Sequence, residues 1–335
     1  MDIKYLAGRF NSALYGVCPR IRSVLDKLPE KIKAQTQEIR IRTNKPVMLT
    51  TCNGQLFVNK TGEASFLPRQ STLYATVEDV AECFSQLCSF SVHTHHEEIK
   101  QGFIIMKGGH RAGVCGTVVS DGQNIISQRQ INSINIRIAK EIHGCAAGIT
   151  HLHRQGGILL AGGPGSGKTT VLRDLIRLLS SGECGGIYKV AVIDTRGELA
   201  AVYAGEAQND IGLCADVITG CPKAEGIQMA LRTMSPDIIA FDEIGTLEEI
   251  EAVEESLNSG VIIITTIHAG SIKELIMRKQ AIKLFQSGAI SSVVMLSKPV
   301  GSPMKIYNLE EVYAEISRSN RTSGGLYGGR NAQII

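Results

Sequence analysis

Two textures of apolar patterning divide this chain near residue 145. Before it, apolar positions come in short runs. Residues 12–28 carry helix-period spacing, and residues 36–50 read as short strands in which Ile39, Ile41, Val47 and Leu49 are apolar and Pro46 interrupts. Thr76, with Asp79 three residues later, predicts a capped helix over residues 76–87. Residues 102–107, 110–119 and 124 onward read as a strand meander, turned at Gly108-Gly109 and at Asp121-Gly122. Residues 1–145 are therefore expected to form a small α+β domain.

Further along, compact apolar runs at 157–161, 189–193, 238–241 and 261–265 alternate with helical segments. Such alternation implies strands in a mainly parallel sheet with helices on its faces, so residues 146–315 predict an α/β domain. Residues 316–335, with scattered serines and the pairs Gly324-Gly325 and Gly328-Gly329, read as a flexible tail.

The first of these strands runs without interruption into Gly162-Gly163-Pro164-Gly165-Ser166-Gly167-Lys168-Thr169-Thr170 and an amphipathic helix. Gly162, Gly167, Lys168 and Thr169 fit G-x-x-x-x-G-K-[ST], a spacing whose backbone N–H groups curl around β- and γ-phosphates at a helix N-terminus. Lys168 would reach phosphate oxygens, and the Thr169 hydroxyl would bind Mg²⁺. The strand at 238–241 ends in Asp242-Glu243. Asp242 can hold the Mg²⁺ shell while Glu243 polarises an attacking water, although either acid could instead cap the following helix. The strand at 189–193 ends in Asp194-Thr195-Arg196-Gly197-Glu198, and groups just beyond strand C-termini line the ligand crevice of an open parallel sheet. Both acids of that segment could approach the γ-phosphate, or the segment could be a solvated loop. His268, just past the strand at 261–265, could sense the γ-phosphate or serve as a buried structural histidine. Arg232, ahead of the Asp242 strand, could stabilise charge, hold a subunit interface or make a surface ion pair.

A net charge of only +3, no tryptophan and 5% aromatic residues argue against nucleic acid as the main partner. Nine cysteines with no C-x-x-C pair read as reduced thiols in a cytosol. The histidines at 93, 95 and 96, with Cys83 and Cys88 upstream, match no four-ligand metal spacing. No apolar run approaches the ~20 residues that span a bilayer, and residues 1–10 lack the apolar core of a signal peptide. Any membrane role is expected to be peripheral.

The phosphate loop, the acidic box at 194–198, Arg232-x-x-x-Pro236-Asp237 leading into Glu243, and the His268 box together resemble the type II/type IV secretion and pilus ATPase superfamily. Within it, the chain is similar to the stage III sporulation AA family over nearly its whole length. The runs that carry this are EIRIRTNKPV from Glu38, GFIIMKGGHRAGVCGTVV from Gly102, INSINIRIAKEI from Ile131, GPGSGKTTVLRDLIRLLS from Gly163 and DVITGCPKAEGIQMALRTMSPDIIAFDEIG from Asp216. The resemblance implies a RecA-like P-loop ATPase domain, ATP and Mg²⁺ as cofactors, and a homo-oligomeric ring, expected to be hexameric. By position it implies that Lys168 and Thr169 bind phosphate and magnesium, that Glu243 is the Walker B acid, that Asp194 and Glu198 form the acidic box, and that His268 is the histidine-box residue. Arg111 and Arg137 resemble positions from which arginines of such ATPases approach the nucleotide, a role suited to a fork of donors. Each could equally be an ion pair at a domain interface.

The same resemblance implies a mechanochemical ATPase that drives assembly of, or export through, a channel joining mother cell and forespore. It would be cytoplasmic, peripheral to the membrane on the mother-cell side, and would work with an inner-membrane platform protein, without nucleic acid and without inserting into the bilayer. Thr195 and Gly197 depart from the family's Asp-Glu-Arg-Ser-Glu box, and Ile290-Ser291-Ser292 stands where members tend to carry Phe-Glu-Arg. A nucleic-acid-stimulated motor and a nucleotide-gated scaffold without hydrolysis are the competing readings of the same sheet.

Overall fold

The computed structural model describes residues 2–122, 125–299, 302 and 304–323. The chain forms two units, one of Met1–Glu141 with Ala201–Asn209 and the other of Ile142–Ala200 with the residues from Asp210 on.

In the first unit, α1 (Ile3–Ala13), α2 (Pro19–Leu25) and α3 (Glu30–Gln35) precede β1 (Thr36–Arg42), β2 (Met48–Thr51), β3 (Gly54–Val58) and β4 (Ala64–Ser65). Then α4 (Val77–Leu87) and α5 (His96–Gln101) lead into β5 (Phe103–Ile105), β6 (Arg111–Ser120) and β7 (Ile125–Arg137). The strands make one antiparallel sheet in the order β4-β3-β2-β1-β7-β6-β5. Ile39, Ile41, Ile134 and Ile136 share its buried face, each alternating with a more exposed residue, and join Phe10, Leu14 and Val80 in the core. Thr76 caps α4 as the sequence predicts. Its hydroxyl accepts the Asp79 N–H at 3.2 Å, and the Asp79 carboxylate accepts the Thr76 N–H at 2.6 Å. The Arg20 guanidinium, 2.8 Å from Asp79 Oδ1, helps hold that carboxyl down at about 2.

The helix expected over residues 12–28 is instead α1, a 3₁₀ turn at Leu14–Gly16, and α2. Pro19 takes the first position of α2, where the N–H it lacks has no helical partner to lose. Gly16 marks the close approach to α4, since a Cβ there would lie 2.5 Å from Leu87 Cδ2. A second surprise is the return of residues 201–209 to this unit. The Gly108 N–H donates to Gln208 Oε1 at 2.8 Å, while Tyr203 and Glu206 exchange backbone hydrogen bonds at 2.9 and 3.0 Å.

His110 lies fully buried in the same unit. Its Nδ1 accepts the Ala139 N–H at 3.1 Å, so the proton sits on Nε2, which faces Ser12 Oγ at 2.8 Å. Burial, with Arg9 nearby, pushes this imidazole from 6.5 down to about 3. Between those values the unfolded chain binds a proton that the folded unit refuses. Stability should therefore fall as pH drops through 6.5 toward 3, by up to about 1.4 kcal/mol per pH unit from this group. Denaturant titrations at pH 7 and pH 5 should show His110→Gln losing less stability on acidification than the wild type. Equal losses would remove the imidazole as the cause.

The second unit runs β8 (Ile158–Gly162), α6 (Lys168–Ser180), β9 (Val190–Ile193), β10 (Ala215–Ile218), α7 (Lys223–Thr233), β11 (Ile238–Phe241), α8 (Leu247–Asn258) and β12 (Ile262–His268). It ends with α9 (Ile272–Ile276), α10 (Lys279–Gln286), β13 (Ser292–Leu296), β14 (Lys305–Asn308) and α11 (Leu309–Ser323). The sheet order is β10-β9-β11-β12-β8-β13-β14, parallel except for the β13–β14 pair. Every residue of β8, β9 and β11 is buried, which is why these strands stand out as unbroken apolar runs. The segment expected as a flexible tail begins inside α11, where Val312 and Ile316 pack on the core; residues 324–335 lie outside the described residues.

Candidate active site

Parallel pairing brings the strand C-termini to one edge of the second unit's sheet. His268 pairs with Gly162 across β12–β8, and Phe241 pairs with Thr265 across β11–β12, so Asp242 and Glu243 emerge beside Thr266. The loop between β8 and α6 turns through Gly165 and Gly167, at φ +69° and +89°, a region that a side chain disfavours. Gly162 is excluded from bearing a side chain for another reason, since a Cβ would lie 2.3 Å from Ser166 Oγ. Ser166 is itself buried, and among the described residues its hydroxyl has no hydrogen-bond partner.

Lys168 is only 7% exposed at the start of α6. Its Nζ donates to Gly162 O at 2.9 Å, to Gly163 O at 3.2 Å and to His268 Nδ1 at 3.0 Å, which uses all three ammonium protons. Burial lowers its pKa, opposed by the charges of Asp242 and Glu243. Because the ammonium cannot accept, His268 carries its proton on Nε2, which faces Glu243 Oε1 at 3.7 Å. Glu243 Oε2 accepts from Arg196 Nη1 at 2.8 Å. Lysine, histidine, glutamate and arginine thus form one continuous chain of contacts.

Glu243 stands at φ +55°, a conformation that costs of order 1–3 kcal/mol for a residue other than glycine. Neighbours fix it there. Its N–H donates to Thr266 Oγ1 at 2.9 Å, and its carbonyl accepts from Lys223, which also reaches Asp242 O at 3.3 Å and Glu249 Oε1 at 3.2 Å. Asp242 accepts hydroxyl protons from Thr169 at 2.6 Å and Thr266 at 2.5 Å. A hydroxyl and a carboxylate in contact make a hard-oxygen pair suited to Mg²⁺, which takes few protein ligands and completes its shell with water and phosphate oxygens. Among the described residues, no group of three His, Cys, Asp or Glu side chains could hold a metal ion alone.

Other residues singled out from the sequence fall differently. Asp194 is 4% exposed, and its carboxylate accepts the N–H groups of Glu198, Leu199 and Ala200 at 2.9, 3.2 and 2.9 Å. It clips its own loop, held there by three converging backbone donors. Glu198 is partly exposed, with its carbonyl bound by Arg173. Arg232 is exposed at the end of α7, with hydrogen bonds to Gln228 O at 3.2 Å and Gln228 Oε1 at 3.4 Å of its own helix. Arg111 and Arg137 belong to the first unit and stand opposite each other across β6–β7. The Arg111 guanidinium lies 3.7 Å over the Phe103 ring, and Arg137 Nε is 3.2 Å from Glu38. Sequence reading missed Arg196, Thr266 and Lys223. The first two sit inside motifs already noticed, whereas nothing in the local pattern marks Lys223.

A model of the family described as sporulation stage III, protein AA, matches residues 12–315. The chain belongs to the sporulation stage III protein AA family. Stage III sporulation protein AA of Bacillus subtilis (strain 168) is 34% identical to this family member over 285 residues, 84% of this chain and 89% of the relative. Among solved structures, the pilus retraction motor PilT with bound ADP aligns at a TM-score of 0.55 and 16% identity, over 91% of this chain and 89% of that one. The Legionella pneumophila ATPase DotB aligns at 0.52 and 16%, over 90% and 86%. These likenesses show the fold, a RecA-like sheet preceded by a smaller α+β domain, as the sequence led us to expect.

Proposed function

We propose that this member of the sporulation stage III protein AA family is a Mg²⁺-dependent, secretion-type mechanochemical ATPase acting as a homo-oligomeric ring. The observation that carries the reading is the meeting, at one sheet edge, of the Lys168–His268–Glu243–Arg196 chain with the Thr169–Asp242 pair. The backbone of the loop from Gly162 to Thr170 would cradle the β- and γ-phosphates, with Lys168 exchanging His268 for a phosphate oxygen. Thr169 and Asp242 would hold magnesium, which would supply neutralisation of phosphate charge. Glu243 orients and polarises the attacking water, because phosphoryl transfer needs a positioned nucleophile more than covalent help. His268, once released by Lys168, is free to report the γ-phosphate to Glu243. Asp194 and Glu198 shape the adjoining loop.

In the ring, Arg111 and Arg137 are assigned to the nucleotide by family resemblance, and Arg232 to stabilising charge at the site or to holding a subunit interface. The same resemblance supports an inner-membrane platform partner at a mother cell to forespore channel. No helix of the described residues is long and apolar enough to cross a membrane. The test is Mg-ATP turnover measured alongside light-scattering mass, with and without single-stranded DNA. Turnover that rises with assembly and ignores DNA is the expected result. Nucleotide binding without turnover at any assembly state would leave a scaffold, and strong DNA stimulation would indicate a nucleic-acid motor.

A further inference from the structure

We propose that the N-terminal unit carries a separate anion site, a basic pocket between α1, α2 and the β5–β6 turn that takes a phosphate ester. The inference is independent of the ATPase reading. The pocket has a volume of about 380 Å³, and its wall includes Arg9, Tyr15, Arg22, Lys107 and Gln208. That size lies in the range of small-ligand sites. Three cations and no carboxylate line it, so it selects an anion.

Arg9 is already set in place. Its Nε donates to Ala139 O at 2.9 Å and its Nη2 to Gly108 O, so little rotamer freedom remains to be lost on binding. Beneath it, Ser12 Oγ is held between His110 Nε2 and Arg9 O, each at 2.8 Å. The two outer cations are available. Arg22 makes only a loose pair with Asp26 at 3.9 Å, both half-exposed, and Lys107 has no ion-pair partner among the described residues. A guanidinium fork offers paired N–H donors to the oxygens of a phosphate, and the Lys107 ammonium adds a point charge beside it. Tyr15, 60% exposed at the rim, offers an apolar face to whatever the phosphate is esterified to.

A soluble phosphate ester and a phospholipid headgroup share this chemistry, and the experiment separates them. Full-length chain carrying Lys168→Ala, which silences the phosphate loop, is titrated calorimetrically with glycerol 3-phosphate and sedimented with phosphatidylglycerol vesicles. The comparison is the same chain with Arg22→Gln and Lys107→Gln added, two exposed positions whose replacement leaves the core untouched; a denaturant melt checks that both fold alike. We expect binding at least ten-fold weaker in the added double variant. Binding of the soluble ester assigns a soluble ligand, and binding to vesicles alone assigns a headgroup. No binding to either probe, or equal binding with and without the two glutamines, overturns the site.

Discussion

Lys168→Ala should abolish nucleotide binding and turnover together, with turnover down at least about 10²–10³-fold, the loss typical when a charge-stabilising donor is removed from a reacting centre. The side chain is buried and aimed by two loop carbonyls and an imidazole, a position that the exposed Lys298, beside Gly165 of the same loop, does not occupy. Removing it also leaves His268 Nδ1 without its donor, which frees the imidazole to change tautomer and weakens its approach to Glu243. Fluorescent nucleotide titration and a phosphate-release assay check this directly. A variant that binds Mg-ATP as the wild type does would show that the loop holds no phosphate.

Glu243→Gln should separate the two steps. The amide keeps the shape and the backbone contacts to Thr266 and Lys223 but cannot polarise water as a carboxylate does, so binding should persist while turnover falls about 10²–10⁴-fold. Arg196→Gln is the informative contrast. The Arg196–Glu243 pair is half open to water, and such pairs contribute roughly 0–1 kcal/mol, so turnover should change by no more than about five-fold. Single-turnover measurements with all three proteins decide the matter. Wild-type rates in Glu243→Gln would move the water-orienting role to another acid, with Glu198 the next to replace.

Much of this was legible before any coordinates because parallel strands buried on both faces must be apolar throughout, and β8, β9, β11 and β12 fall on the four runs read from the sequence. β10 and β14 are hard to read because Asp216 interrupts one and Lys305 and Asn308 bound a two-residue apolar run in the other, whereas β13 carries the run Val293-Val294-Met295-Leu296 and was overlooked. The phosphate loop and the Asp242-Glu243 pair were visible as spacing. The hydrogen bonds by which Asp194 clips its loop were not, since which donors meet a carboxylate depends on how six residues of backbone curl after the strand. Lys223 was invisible for a similar reason: besides Glu249, its targets are two main-chain carbonyls, which every residue possesses.

The nine residues 201–209 impose an order on biosynthesis. The first unit lacks a part of its structure until residue 209 leaves the ribosome, by which time β8, α6 and β9 have already emerged. A fragment ending at residue 141 would leave the Gly108 N–H without Gln208 and Ser89 without Tyr203. The two halves of the gene product are therefore not separable cassettes, and a recombination event that exchanged the first 141 codons alone would inherit a mismatched seam.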